Sequence, residues 1–210
     1  MTWSTLPVEV VVRGRKAVVI GASGEIVSKV HRLLEGGADV VVVTHGTHVD
    51  PAIASLAHDG AVQVLDRSFD AADLEDAAVV FVATELDALG ASLAKDARTS
   101  GRLVSTLDRP EASTFINPAV ARRNGISFAI STGGAVPGLV KILRREIERT
   151  LNRPKVGAFV AELTRARARL PRGERGREAQ KLLRGLSLDV RFTYPLWFRK
   201  RRPPILRDSP

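Results

Sequence analysis

Cysteine is absent from the 210 residues of the chain, and aromatic residues make up only 5% of it. Without thiols the chain forms no disulfide and supplies no thiolate ligand to zinc or to an iron–sulfur cluster. It also contains no run of about 18 apolar residues, and its N-terminus lacks the basic and apolar regions of a secretory signal. These absences exclude a disulfide-stabilised scaffold and a membrane-spanning helix, and we expect a folded cytoplasmic protein without stable membrane association.

Positive charge is confined to one end of the chain. Residues 1–150 contain 16 Lys and Arg against 18 Asp and Glu, whereas residues 151–210 contain 16 against 5 and account for the net charge of +9. A basic block of this kind indicates a polyanionic partner, such as nucleic acid, anionic lipid or a small molecule with several carboxylates. A solvated arginine-rich helix without a ligand explains the charge equally well. Because no nucleic-acid-binding motif accompanies these residues, we expect no nucleic-acid partner.

Apolar segments alternate with helical patterns in the first half of the chain. The apolar segments are continuous runs rich in Val, Ile, Leu and Ala, which is typical of strands buried on both faces of a parallel sheet. The predicted strands are 8–12 (an edge strand), 17–20, 40–44, 62–65, 79–83 and 103–106, and the predicted helices are 25–36, 51–58 and 87–100. This alternation predicts an α/β fold with a Rossmann-like, doubly wound parallel sheet.

The pattern changes after residue 110. Asn117 and Pro118 are typical of the cap and first position of a helix, so we expect a helix to begin there. The later predicted elements are a strand at 127–130 and helices at 138–151, 156–170 and 174–186. An apolar stripe on the helix at 138–151 is typical of a core contact or a dimer seam.

The turn after the first predicted strand resembles a degenerate dinucleotide-binding fingerprint, G-x-G-x-x-G/A. Gly21 holds the first glycine position, while Ser23 and Ile26 replace the second and third. A side chain at the second position narrows the approach of a diphosphate, and a β-branched residue at the third is expected to push the helix away from the sheet. Gly24, one place after Ser23, restores some backbone freedom.

The end of the second predicted strand lacks the acidic residue that usually binds the adenosine ribose. That residue is expected about 20 positions after the glycines, where this chain has Thr44, His45 and Gly46. No nearby Arg or Lys indicates a 2′-phosphate site instead. His45 and His48 are spaced like metal ligands, but no third ligand accompanies them, so we predict a polar loop beside the ribose and no metal site.

Asp108 follows the last predicted strand of the sheet, on the side where open α/β sheets bind their ligands. A carboxylate there can act as a general base if partial burial raises its pKa. The alternative is an Asx turn that only precedes Arg109 and Pro110.

A second polar turn, Ser131-Thr132-Gly133-Gly134, connects a predicted strand to a predicted helix. Its hydroxyl and N–H groups can converge on a phosphate or carboxylate at the helix N-terminus. A simple chain reversal has the same composition, and the residues alone do not decide between the two.

Taken in order, these motifs resemble the precorrin-2 dehydrogenase/sirohydrochlorin ferrochelatase family, which also forms the N-terminal part of siroheme synthases. The resemblance extends over about residues 6–187 and is carried by Leu6-Pro7, Arg13-Gly14-Arg15, Val19-Ile20-Gly21, Lys29-Val30, Leu33-Leu34-Glu35-Gly36-Gly37-Ala38, Ala83-Thr84, Asp108-Arg109-Pro110, Phe115-Ile116, Pro118-Ala119 and Ile130-Ser131-Thr132-Gly133-Gly134. It implies an NAD-dependent oxidation of precorrin-2 to sirohydrochlorin, often with Fe(II) insertion, in a homodimer. The implied domains are an NAD-binding domain at 1–112, a dimerisation segment at 113–152, a tetrapyrrole-binding helical domain at 153–190 and a flexible basic tail at 191–210.

The resemblance also implies roles for individual residues. Asp108 falls on the family's essential aspartate, which accepts protons from the macrocycle. Ser131, Thr132, Gly133 and Gly134 fall on the turn that faces the tetrapyrrole. The implied cofactor-binding residues are Gly21, Ser23, Gly24, Glu25, Ile26, Thr44, His45, Gly46, Thr84 and Glu85.

Departures from the family pattern are concentrated on the cofactor side. Ala22 and Ser23 replace two glycines, Ile26 replaces an alanine, Leu86 replaces one residue of an acidic pair, and Gly90 replaces an asparagine. Two alternatives therefore stay open. One is an NAD-independent chelatase that inserts Fe(II) or Co(II) into sirohydrochlorin, and the other is a non-catalytic tetrapyrrole-binding protein.

Overall fold

The computed structural model describes residues 5–107, 109–133, 135–189 and 193. The chain divides into two compact units, and the boundary falls between Thr150 and Leu151. The first unit contains an α/β sheet followed by a β-hairpin, and the second contains helices. Within the described residues, no helix is long and apolar enough to cross a membrane.

Five parallel strands form the sheet of the first unit. They are β1 (Lys16–Ile20), β2 (Asp39–Val43), β3 (Gln63–Leu65), β4 (Val79–Val82) and β5 (Val104–Thr106). Their order is β3-β2-β1-β4-β5. The chain thus adds β2 and β3 on one side of β1 and then adds β4 and β5 on the other side. This order is that of a doubly wound sheet, and the Rossmann-like fold predicted from the sequence is confirmed.

Helices cover both faces of the sheet. α1 (Gly24–Glu35) and α2 (Pro51–His58) pack on one face, where Ile26, Val30 and Ile53 are fully buried. α3 (Asp87–Ser100) packs on the other face through Leu93 and Ala97. Burial on both faces explains why β1, β2 and β4 are continuous apolar runs after their first residue.

The predicted edge strand at 8–12 is not present. The segment makes no sheet ladder; instead, the N–H of Gly14 donates to the carbonyl of Gly37 at 2.7 Å and Val12 packs against the core. The sheet ends at β3 and β5, while this segment lies beside the C-terminal end of α1. An apolar run alone did not distinguish these two arrangements.

The helix predicted from Asn117 and Pro118 is also wrong. The segment instead leads into an antiparallel hairpin formed by β6 (Ala119–Arg123) and β7 (Ile126–Ile130). Asn124 and Gly125 form its turn with φ values of +53° and +76°, as a two-residue type I′ turn requires. The Asn-Gly pair was the stronger local signal, because it determines the backbone on both sides of the turn.

Three helices follow the hairpin. α4 (Pro137–Leu151) ends at the boundary between the units, and the second unit contains α5 (Pro154–Arg169) and α6 (Arg175–Leu182). No residue of α5 is buried. Apart from Thr193, the predicted flexible tail at 191–210 lies outside the described residues.

Candidate functional site

The carboxyl ends of four strands meet at one edge of the sheet. Ile20 is in register with Val43 of β2 and with Val82 of β4, and the N–H of Leu107, just after β5, donates to the carbonyl of Val82 at 3.0 Å. Open α/β sheets bind their ligands at this edge, near the point where the strand order reverses. The predicted cofactor residues and Leu107, which precedes the predicted catalytic aspartate in the chain, therefore lie at one edge.

Gly21 begins the turn between β1 and α1, and its position requires glycine for two reasons. Its φ is +99°, a conformation that residues with a Cβ rarely adopt. A Cβ at this position would also lie 2.5 Å from Cβ of Ala83, after β4. The first glycine of the fingerprint thus has a clear structural role.

Ser23 occupies the N-cap position of α1 but does not cap the helix with its side chain. Its Oγ is buried and has no hydrogen-bond partner among the described residues. Gly24 follows as the first residue of the helix, at the positive end of the helix dipole. A buried hydroxyl without a partner needs a water or a ligand, and an anion at the helix N-terminus would satisfy it.

The loop after β2 is tied back to the glycine turn. The hydroxyl of Thr47 donates to the carbonyl of Thr44 at 2.7 Å and accepts from the N–H of Ala22 at 2.7 Å. Thr44 is fully buried, and its own hydroxyl donates to Oδ1 of Asp66 at 2.8 Å. These bonds determine the shape of the loop that was predicted to face the ribose.

His45 and Gly46 lie in this loop with φ values of +48° and +79°. Nδ1 of His45 accepts the N–H of Phe69 at 2.9 Å, which connects this loop to the chain after β3. No group of three or more His, Asp or Glu side chains that could hold a metal ion occurs in the described part of the chain.

Asp50 is a residue of this edge that the sequence did not single out. Its N–H donates to the carbonyl of Ala22 at 2.8 Å, and its Oδ1 caps α2 by accepting the N–H of Ala52 at 2.8 Å. Its Oδ2 would lie 3.0 Å from a Cβ built on Gly24. The sequence contains a signal for the cap, an aspartate before Pro51, but none for the approach to α1.

A cavity of about 290 Å³ lies at the carboxyl end of β5. It is lined by Glu25 and Lys29 of α1 and by residues 105–107, 109, 110, 113 and 115–117. The predicted catalytic residue, Asp108, lies outside the described residues. Its two neighbours, Leu107 and Arg109, both line the cavity.

Two hydroxyl groups brace the turn around position 108. Oγ of Ser113 accepts the N–H of Thr106 at 3.0 Å and donates to the carbonyl of Arg109 at 2.9 Å. Oγ1 of Thr106 donates to the carbonyl of Ala112 at 2.9 Å. The residues on both sides of position 108 are therefore connected to each other by side chains of the same turn.

The segment after β4 contains the other predicted cofactor residues. Thr84 and Glu85 form a short 3₁₀ turn between β4 and α3. Gly90, one of the departures from the family pattern, packs directly against β5, because a Cβ on it would collide with Oγ1 of Thr106. Its small size thus has a packing explanation that does not involve the cofactor.

Ser131, Thr132 and Gly133, the described residues of the second polar turn, precede α4 and do not line the cavity at β5. Oγ of Ser131 accepts the N–H of Gly133 at 3.1 Å, and Oγ1 of Thr132 accepts the N–H of Val136 at 3.1 Å. Gly134 lies outside the described residues. Both hydroxyls act as local acceptors, which leaves their hydrogens available to an anionic ligand.

Comparisons with known proteins give a consistent result. Residues 8–119 match a family model described as NAD(P)-binding. A siroheme synthase of Actinobacillus pleuropneumoniae serotype 3 is 32% identical over 163 residues, which are 78% of this chain and 33% of that protein. A siroheme synthase of Methylobacillus flagellatus is 34% identical over 165 residues, which are 77% of this chain and 35% of that protein. The chain thus spans about a third of the length of these curated relatives.

A solved structure with the same fold is SirC, described as a precorrin-2 dehydrogenase. It aligns with a TM-score of 0.70 at 20% sequence identity and covers 86% of this chain and 90% of its own. At this identity the likeness establishes the fold.

Proposed function

Because the chain belongs to the NAD(P)-binding family, as the resemblance in its motifs predicted, we propose that it oxidises precorrin-2 to sirohydrochlorin with NAD in the cytoplasm. The observation that carries this proposal is the position of α1. The helix begins at the glycine turn, and its second residue, Glu25, lines the cavity at β5. A cofactor bound at the start of α1 and a substrate at the end of β5 would be neighbours.

The residues at the glycine turn fit a dinucleotide. Gly21 allows the tight turn, Ser23 has an unsatisfied buried hydroxyl, and Gly24 has no side chain to obstruct a diphosphate. These residues and Glu25 would hold the diphosphate, while Thr44, His45 and Gly46 would lie near the ribose. When bound, NAD accepts a hydride. Ile26 is buried in the core, so it stabilises the turn by packing.

We assign the proton chemistry to Asp108. Oxidation removes a hydride and a proton from the macrocycle, and Asp108 would accept that proton. Its neighbours in the chain, Leu107 and Arg109, both line the cavity. In metal insertion the same group would accept protons from the pyrrole nitrogens. The brace from Ser113 would keep the backbone on both sides of this aspartate in place.

The cavity at β5 has a volume of about 290 Å³, which is at the lower end of the range of about 300 to 1,000 Å³ that ligand pockets typically occupy. It is therefore small for a tetrapyrrole. Further surface must therefore contact the ring and its eight carboxylates. The hydroxyls of Ser131 and Thr132, which belong to the first unit, are suited to carboxylates.

We also propose a homodimer. Val136, just before α4, and Leu139 and Ile142, in its first two turns, are exposed apolar residues. A second copy of the chain that covers this surface would remove it from water. Size-exclusion chromatography with light scattering would test this, and a monomer at micromolar concentration would contradict it.

The second candidate is an NAD-independent chelatase that inserts Fe(II) or Co(II). It is favoured by the contrast between a turn after β5 that is held by the hydroxyls of Thr106 and Ser113 and a fingerprint in which Ser23 and Ile26 replace two small residues. In this version the glycine turn would be a structural remnant. A tetrapyrrole-binding protein without catalysis is the corresponding non-enzymatic alternative.

One experiment separates these candidates. The full chain is incubated with precorrin-2, with and without NAD, and separately with sirohydrochlorin and Fe(II) or Co(II), again with and without NAD, while absorbance reports sirohydrochlorin and its metal complex. We expect sirohydrochlorin only with NAD, a loss of at least about 100-fold in Asp108→Asn, and no change in Asp76→Asn. Asp76 is a suitable control because its φ of +59° is readily adopted by Asn. Metal insertion without any effect of NAD would support the chelatase, and a spectral shift without turnover would support the binding protein.

A further inference from the structure

The end of β2 lacks the usual acidic residue, but Asp50, the N-cap residue of α2, supplies a carboxylate nearby. We infer that Asp50 contacts the adenosine ribose and selects NAD over NADP, an inference that rests on the proposed function. In the usual fingerprint a carboxylate at the end of the second strand accepts hydrogen bonds from the ribose hydroxyls. Here that position is Thr44-His45-Gly46, and Asp50 lies beyond it in the same loop.

The carboxylate of Asp50 is directed towards the start of α1. Its Oδ1 is used by the N–H of Ala52, while its Oδ2 would lie 3.0 Å from a Cβ built on Gly24. Its backbone N–H is bonded to the carbonyl of Ala22. A ligand whose diphosphate binds at the first turn of α1 would therefore bring its adjoining ribose close to Oδ2. This oxygen can accept a hydrogen bond from a ribose hydroxyl.

The loop that carries Asp50 is held in this position by contacts on both sides. Thr47 bridges the N–H of Ala22 and the carbonyl of Thr44 with its hydroxyl, and Asp50 itself caps α2. A group that is oriented before binding loses little conformational entropy when the ligand arrives. The geometry thus favours recognition by a fixed carboxylate.

The charges around the loop disfavour a 2′-phosphate. Asp66 accepts the hydroxyl of Thr44, which places a second carboxylate on the loop. The guanidinium of Arg67, the cation next along the chain, is engaged in a bidentate ion pair with Asp73. Nδ1 of His45 already accepts a backbone N–H. A 2′-phosphate would meet carboxylates here, whereas a 2′-hydroxyl would donate to one.

The test is isothermal titration of the full chain with NAD and with NADP. Asp50→Asn removes the charge and keeps the cap of α2, because Asn caps helices as well as Asp does. Asp70→Asn is the matched control, since Oδ1 of Asp70 accepts the N–H of Ala72 at the same 2.8 Å but at the start of a 3₁₀ turn. Urea unfolding of both variants verifies that they fold.

We expect the wild type to bind NAD at least about tenfold more tightly than NADP, and Asp50→Asn to reduce this preference to less than about threefold. Asp70→Asn should keep the wild-type preference. If Asp50→Asn binds NAD and keeps the preference, the inference is wrong and the proposed function stands. If the wild type binds neither dinucleotide, both the inference and the NAD-dependent function are wrong.

Discussion

Two turns at the same edge of the sheet are built in different ways. The glycine turn after β1 is held by distant groups: Ala83 of the neighbouring strand end leaves no space for a side chain on Gly21, and Thr47 bonds to Ala22 from the next loop. The turn after β5 is held by its own hydroxyls, with Ser113 bonded to residues four and seven positions earlier. These bonds of Ser113 stay within the second turn and do not involve the loop after β2.

This difference suggests how the two halves of the proposed site can change separately. A substitution at the glycine turn affects three segments at once, because β1, the loop after β2 and the end of β4 all meet there. A substitution in the turn after β5 affects mainly that turn. The fingerprint has departures at its second and third positions, yet its first glycine is confined by packing that does not depend on a cofactor.

The largest expected effect comes from Gly21→Ala. The new Cβ would lie 2.5 Å from Cβ of Ala83 on a backbone with φ of +99°, so both strain and a core clash oppose it. We expect a loss of at least about 3 kcal/mol in the free energy of unfolding, measured with urea. Gly46→Ala is the control: its φ is +79° but nothing lies within 4 Å of a Cβ there, so it should lose only about 1 kcal/mol. Equal losses would show that packing against Ala83 is unimportant.

A smaller effect is expected from Thr47→Val, which keeps the shape of the side chain and removes the bridge between the loop and the glycine turn. The N–H of Ala22 would lose its partner in a part-buried position, at a cost of about 1–3 kcal/mol. Because the loop carries Asp50, the affinity for NAD should fall as well, by about tenfold in isothermal titration. An unchanged affinity would mean that the loop does not contribute to the cofactor site.

Ser113→Ala tests the other turn. Loss of the hydroxyl should cost about 1 kcal/mol and should lower kcat for sirohydrochlorin formation without changing the affinity for NAD. The matched control is Thr114→Val, because Oγ1 of Thr114 makes the same kind of bonds, accepting the N–H of Val104 at 2.9 Å and donating to the carbonyl of Arg102 at 2.8 Å. That variant should lose similar stability but keep kcat. If both variants lower kcat equally, Ser113 has only a structural role.

The sequence was sufficient for the five strands of the sheet because most of them are apolar runs and each intervening helix has its own pattern, but it wrongly added an edge strand at 8–12. It was also sufficient for Gly21, since a glycine after a buried strand is a local signal. It failed at residues 117–118, where a helix-start signal competed with a hairpin, and at Asp50, whose approach to Gly24 depends on the path of a whole loop. The bonds of Thr47 and the packing of Gly90 against Thr106 likewise join segments distant in sequence, and no spacing rule predicts them.

The smallest expected effect concerns the ion pair beside the cofactor loop. Arg67 donates to the carboxylate of Asp73 and holds its pKa below the ordinary value of about 3.8. Since the folded pKa is lowered, the stabilisation is fully present above the unfolded value and is lost as the pH falls through the folded one. Asp73→Asn should therefore lower the free energy of unfolding at pH 7. Between pH 5 and pH 2 this free energy should decrease less than in the wild type, as measured by urea unfolding.

The same ion pair connects to the loop around the cofactor. The carbonyl of Arg67 accepts the N–H of His45, so acid should loosen this loop before it affects the turn after β5. Equal acid sensitivity of hydrogen exchange at His45 and at Thr106 would show that the two turns are coupled after all.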